Sequence, residues 1–153
     1  MKRIAVILVL MLIAAPAYAG LKEKRAVKNF QEQTFPKLTQ QINTVASVDV
    51  PVEVDWDSIA VDDYADMYEE GFTKVYFTPL LDALKEICAD DMGKDALKNA
   101  LKKVVIKNSS NSYSPSNFSF ADGVLVIDHS PTTNIDDTKE RTKKIVKLLE
   151  DAL

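Results

Sequence analysis

Ten residues in the first half of the chain place the tightest constraint on its fold. Val48, Val50, Val52, Val54 and Trp56 alternate with Asp49, Pro51, Glu53 and Asp55. A period of two puts one apolar face inward and one charged face outward on a β-strand, so the spacing predicts a strand over 47–56. Pro51 cannot donate to a ladder, which assigns the strand to a sheet edge or leaves it locally unpaired on that side. Such a half-buried strand needs partner strands beside it and an apolar layer over its inner face.

The flanking segments supply both. A polar, basic lead-in over 20–28 is expected to fray. Val27, Phe30, Thr34, Leu38, Ile42 and Val45 then share one side of a helix that Pro36 kinks or splits. After the strand, Asp57 or Ser58 can cap a segment carrying Tyr64, Met67, Tyr68, Phe72 and Val75, with Gly71 as a break. Thr78-Pro79 has the form of an N-cap followed by proline at the first helical position. The helix it opens runs to about Asp90 and stops near Gly93. Another helix over 94–103 buries Leu97, Ala100, Leu101 and Val104.

Val104-Val105-Ile106 is β-branched and short. Phe118-Ser119-Phe120 and Val124-Leu125-Val126-Ile127 flank Ala121-Asp122-Gly123, a hairpin turn signal. A final helix from about Asp136 carries Thr138, Thr142, Ile145, Leu149 and Ala152 on its apolar side. Grouped strands and grouped helices define an α+β domain. The expected sheet is mainly antiparallel, of about four strands (47–56, 104–107, 117–121 and 124–128), with helices packed on one face and the last three strands in a meander.

Residues 1–19 read as a secretory signal peptide, leaving 20–153 as a single globular domain. Met1-Lys2-Arg3 is a basic start, Ile4–Ala15 is uninterrupted apolar sequence, and Ala17-Tyr18-Ala19 is an A-x-A cleavage box. The apolar run is shorter than the roughly 20 residues a spanning helix needs. The expectation is therefore an exported protein, periplasmic or secreted, soluble and without a stable membrane anchor once the leader is removed. The whole chain carries a net charge of −4, and loss of Lys2 and Arg3 makes the remainder more acidic. Nucleic acid, whose phosphates would repel it, is a poor partner.

One cysteine, Cys88, rules out an internal disulfide. It shares a helix face with Leu80, Leu81, Leu84 and Ile87, the placement of a buried thiol that behaves as a small hydrophobe. No phosphate-binding glycine loop, zinc-ligand spacing, paired-cysteine motif or dinucleotide fingerprint is present, and no cofactor is implied.

Three constellations carry the remaining chemistry. His129 is the only histidine, and in Asp128-His129-Ser130 it can serve as a general base for a small hydrolase, with Asp128 or Asp122 as orienting acid and a serine such as Ser130 nearby. Adjacent strand residues point to opposite faces, however, so Asp128 and His129 are not automatic partners. Between Lys37 and Lys74 the chain holds no basic residue, and its carboxylates over 49–70 suit calcium. Asp55-x-Asp57 begins like a calcium loop, but Ile59 and Ala60 replace the next ligand and the turn glycine. Finally, the Ser- and Asn-rich loop 108–117 offers Asn111 and Tyr113 as contact residues. With acidic and basic segments separated along the chain, the favoured role is a non-catalytic domain that binds another envelope or secreted protein; the composition is silent on its oligomeric state. Amino-terminal sequencing of protein harvested from the cell envelope should read Gly20-Leu21-Lys22. An intact Met1 on a cell-interior species would overturn export.

Overall fold

The computed structural model describes residues 20–153; the leader 1–19 lies outside the described residues. The elements in order are α1 (Leu21–Gln33), α2 (Phe35–Ala46), β1 (Val52–Val54), α3 (Trp56–Ile59), α4 (Tyr68–Phe72), α5 (Thr78–Ile87), α6 (Asp91–Ala100), β2 (Lys103–Lys107), β3 (Ser119–Ala121), β4 (Val124–Asp128) and α7 (Thr138–Glu150). The α+β class holds. The 20–28 segment is helical rather than frayed, because α1 buries Glu23, Val27 and Phe30. The helix divides at Thr34, and Pro36 falls in the first turn of α2, where its missing N–H costs nothing.

The strand of 47–56 is shorter than its alternation. Ser47 ends α2 in the left-handed region at φ 55°. Asn43 of α2 then holds the next segment, accepting from Val50 N at 2.9 Å and donating to Asp49 Oδ1 at 3.3 Å. Asp55, not Asp57 or Ser58, caps α3, its carboxylate accepting from Ser58 N. That leaves three strand residues. Pro51, just before β1, contributes only a carbonyl, which accepts from Val104 N at 2.9 Å, and β1 is an edge strand, where a neighbouring proline is tolerated.

The expected antiparallel meander is corrected. The sheet is mixed, in the order β1-β2-β4-β3. β1 pairs parallel with β2, β2 parallel with β4, and only β3 and β4 pair antiparallel. The hairpin itself forms as read, with Asp122 at φ 53° and Gly123 at φ 84°, the left-handed pair a two-residue turn needs. The chain leaving β2 crosses the end of the sheet to the outer edge, descends as β3, and returns as β4 between its neighbours. Val124-Leu125-Val126-Ile127 is a continuous apolar run, suited to an interior parallel strand. β3 leaves Ser119 and Ala121 exposed, as an edge strand can.

The register places Val52, Val104 and Leu125 in one row and Val54, Ile106 and Ile127 in the next, with Phe120 opposite Leu125. These share the face that joins the helices in one apolar cluster. Glu53, Val105 and Val126 occupy the opposite face and stay exposed or half-buried. α4 and α5 form one helical run through a π-helical turn at Thr73–Phe77, whose following Thr78 N–H reaches back to Thr73 O. The widened turn sits immediately before Pro79, which cannot donate. Thr78 is thus inside helix rather than a cap. Gly71 does not break it either; a β-carbon there would lie 2.6 Å from the Pro131 carbonyl oxygen, so glycine permits that close approach. Further on, α5 ends at Ile87, and Asp90 caps α6 by accepting from Gly93 N at 2.8 Å. Gly93 lies in a first turn instead of at a stop.

Tyr68, Phe72 and Tyr76 are core, with Tyr68 and Phe72 stacked at 4.8 Å, and Phe30, Phe35, Trp56 and Phe77 complete an aromatic cluster. Tyr64 is exposed. Cys88 is buried, and burial pushes its thiol pKa up, which keeps it protonated and unreactive. Leu84 is fully buried where α5 packs against α7 and α2. Leu84→Ala should lower the unfolding free energy by about 2–5 kcal/mol, measured by urea denaturation. A loss within about 0.5 kcal/mol, the surface range, would mean the α5 face is misplaced.

Candidate functional site

The polar loop after β2 crosses the carboxyl ends of β2 and β4, and β4 runs out beneath it as Asp128-His129-Ser130. Two backbone bonds continue the pairing past the strand, from His129 N to Lys107 O at 3.1 Å and from Ser130 N to Ser112 O at 2.7 Å. Asp128 fixes the loop from below. Its Oδ1 accepts from Ser109 N at 2.9 Å, its Oδ2 accepts from the Ser109 hydroxyl, and Lys107 Nζ lies 3.9 Å away. Bonds to an ionised carboxylate are about twice as strong as neutral ones. Asn108 ties the loop to α3 by donating from its backbone N to Ser58 Oγ at 3.0 Å. Within the loop Asn117 Nδ2 donates to Ser110 Oγ at 2.6 Å and Ser112 Oγ to the Ser114 carbonyl at 2.9 Å.

His129 is 0% exposed. Its Nδ1 donates to the Ser130 carbonyl at 2.6 Å, which fixes the Nδ1–H tautomer of the neutral ring. Phe118 meets the ring edge-on at 6.2 Å. Tyr76 reaches in from the π-helical turn, its hydroxyl donating to the His129 carbonyl at 2.6 Å, and burial holds its phenol protonated. Among the described residues Nε2 of His129 makes no hydrogen bond of ordinary geometry, although the Tyr113 backbone lies near enough to the ring to favour its protonated form. Burial pushes the imidazole pKa below its ordinary value, opposed in part by the Ser130 carbonyl.

The three residues of Asp128-His129-Ser130 are thus adjacent but face different partners. The Asp128 carboxylate is taken up by Ser109. The Ser130 hydroxyl lies 3.2 Å from Thr132 Oγ1 and accepts from Thr133 Oγ1 at 3.3 Å. The imidazole bonds the Ser130 backbone carbonyl rather than either side chain, and Asp122 is at the far end of β4, in the hairpin turn.

Arg141 is part of this region and was not evident from the motif reading. It is 1% exposed, and its guanidinium donates to the Asn134 carbonyl at 2.9 Å and the Ile135 carbonyl at 2.8 Å. Asn134 in turn donates to the Tyr113 carbonyl at 3.0 Å. Burial lowers the Arg141 pKa while Asp137 and Glu140 raise it, and a guanidinium stays charged throughout. The available signal was spacing, since Arg141 sits four residues before Ile145 and eight before Leu149, on the buried stripe of α7. Thr138 and Thr142 lie beside that stripe, and Ala152 is exposed beyond the helix.

What the loop offers to solvent is Tyr113, 69% exposed, beside Asn111 in the left-handed region at φ 48°. The acidic stretch is engaged elsewhere. Asp66 pairs with Lys22, Glu70 with Lys74 and Glu53 with Lys103, while Glu69 accepts from Thr34. Asp55 is the α3 cap, and Asp57 borders a shallow pocket beside Trp56 and Lys24. Among the described residues no three His, Cys, Asp or Glu side chains gather where a metal ion could be held. No family model matches the chain, and no curated protein or solved structure shows significant similarity to it.

The buried imidazole makes stability depend on pH. Below about 6.5 the unfolded chain takes up a proton on His129 that the folded chain resists, so unfolding binds protons and stability falls with pH. Urea titrations between about pH 7.5 and pH 5.5 should show this slope. His129→Asn, whose amide can donate to the Ser130 carbonyl, should flatten it; an unchanged slope would place the proton uptake on another group.

Proposed function

We propose that this chain is an exported, non-catalytic domain that binds a protein or another envelope component through the loop at the carboxyl ends of β2 and β4. The observation that carries the reading is Tyr113, exposed on a loop whose backbone is pinned by Asp128, Ser58 and Asn134. A tyrosine has only two side-chain torsions to immobilise, so it binds at low entropic cost, and surrounding Ser and Asn groups adapt their hydrogen bonds to a partner. A loop already ordered before contact avoids much of the cost of ordering it on binding.

The hydrolase alternative is less well supported. A general base must reach the proton it removes, whereas the His129 ring is enclosed and bonded to a backbone carbonyl. The calcium alternative draws on carboxylates of which Asp66, Glu70 and Glu53 pair with lysines, Glu69 accepts from Thr34, and Asp55 is occupied as the α3 cap.

Residues 20–153, immobilised and exposed to an envelope extract, should retain a specific component at low salt. Tyr113→Ala should weaken that retention at least about tenfold, the scale of an aromatic hot spot, with no change in melting temperature. Equal retention by the variant, or no retention at low and high salt alike, would overturn the reading.

A further inference from the structure

At the other end of α7 from the Tyr113 loop lies a second surface, independent of it. The end of α5, the start of α6 and the end of α7 enclose an open groove of about 460 Å³. Its floor is apolar, formed by Ile87, Ala96 and Leu153. Met92 stands at its side 79% exposed, the most exposed large hydrophobic among the described residues. An unbranched thioether in that position adapts its shape to many apolar surfaces. The rim is acidic throughout. Glu86 projects from α5, Asp90 from the turn before α6 and Glu150 from the last turn of α7, all three exposed. Neither Glu86 nor Glu150 has an ion-pair partner among the described residues.

We propose that this groove docks a basic amphipathic helical segment of a partner protein. Charge complementarity selects that occupant. An apolar stripe at i, i+3 and i+4 would fill the floor, and lysines or arginines flanking it would meet Glu86, Asp90 and Glu150, the helix-in-groove mode of recognition. The same carboxylates repel an anionic lipid surface and nucleic acid. The apolar floor supplies affinity, and the acidic rim supplies steering and selectivity.

The test uses residues 20–153 and a synthetic amphipathic helix of about 14 residues built from Leu and Lys, with a Leu/Glu peptide of the same pattern as control. Amide shift mapping should place the Leu/Lys peptide on the end of α5, the start of α6 and the end of α7. Glu86→Gln combined with Glu150→Gln should weaken binding about tenfold and reduce its dependence on salt. Ala96→Arg, which fills the apolar floor and sets a positive charge within the acidic rim, should weaken it further. Tyr113→Ala should leave it unchanged, which separates this site from the loop. The proposal is overturned by absence of saturable binding, by equal binding of the Leu/Glu peptide, by shifts mapping elsewhere, or by full affinity in the Glu86/Glu150 double variant, whose two exposed substitutions leave the fold intact. Concentration-dependent shifts of the same residues without peptide would also overturn it, by assigning the groove to a second copy.

Discussion

The parallel pairing of β2 with β4 is the constraint from which the rest of the structure follows. Once β4 occupies the position next to β2, the chain between them has no short route, since a parallel connection must return to the starting end of the sheet. Here the return is made by β3 on the outer edge, with a single 3-10 turn at Pro115–Asn117 and no α-helix in the crossover. The segment 108–118 must then pass across the carboxyl ends of the strands. That passage would bury backbone groups without partners. Asp128, the backbone of His129 and Ser130, and Ser58 of α3 supply those partners.

The consequence is a polar layer that acts as structure. Asp128 organises the loop, Tyr76 and His129 join the helical run to the end of β4, and Arg141 holds the turn before α7 through the Asn134 and Ile135 carbonyls. Such groups are costly to bury and specify one arrangement only when their hydrogen bonds are made. Most are made here; among the described residues Oδ1 of Asn108, Nε2 of His129 and Nε of Arg141 are the exceptions. Two surfaces stand at opposite ends of α7: an aromatic on a pinned polar loop, and an apolar groove bordered by Glu86, Asp90 and Glu150.

Much of the local structure could be read from residue pattern. The division of the first helix beside Pro36, the edge position of the strand that follows Pro51, the Asp122-Gly123 turn and the burial of Leu84 and Cys88 each follow from a property carried by those residues. Boundaries were less legible. The 47–56 alternation continues past the three residues that actually pair, because Asn43 and Asp55 divert its two ends into contacts with helices. Tyr113 and Asn111 were legible as loop residues, whereas Arg141 was masked by its charge, although its spacing matched the buried stripe.

Sequence alone indicated most of the helical and extended segments, though not the helicity of 21–28 or the true ends of β1, and it indicated which turn closes the β3–β4 hairpin and that helices and strands cluster along the chain. Each of these depends on propensity and periodicity within about a dozen residues. Tertiary structure alone decided which strand lies beside β2, and therefore that the sheet is mostly parallel. It also decided that the imidazole and carboxylate of Asp128-His129 face different partners, and that Glu86, Asp90 and Glu150 border one groove. Strand order and side-chain convergence are set by the free energy of packing the whole core, to which residues far apart in the chain contribute together, and no local pattern encodes that sum.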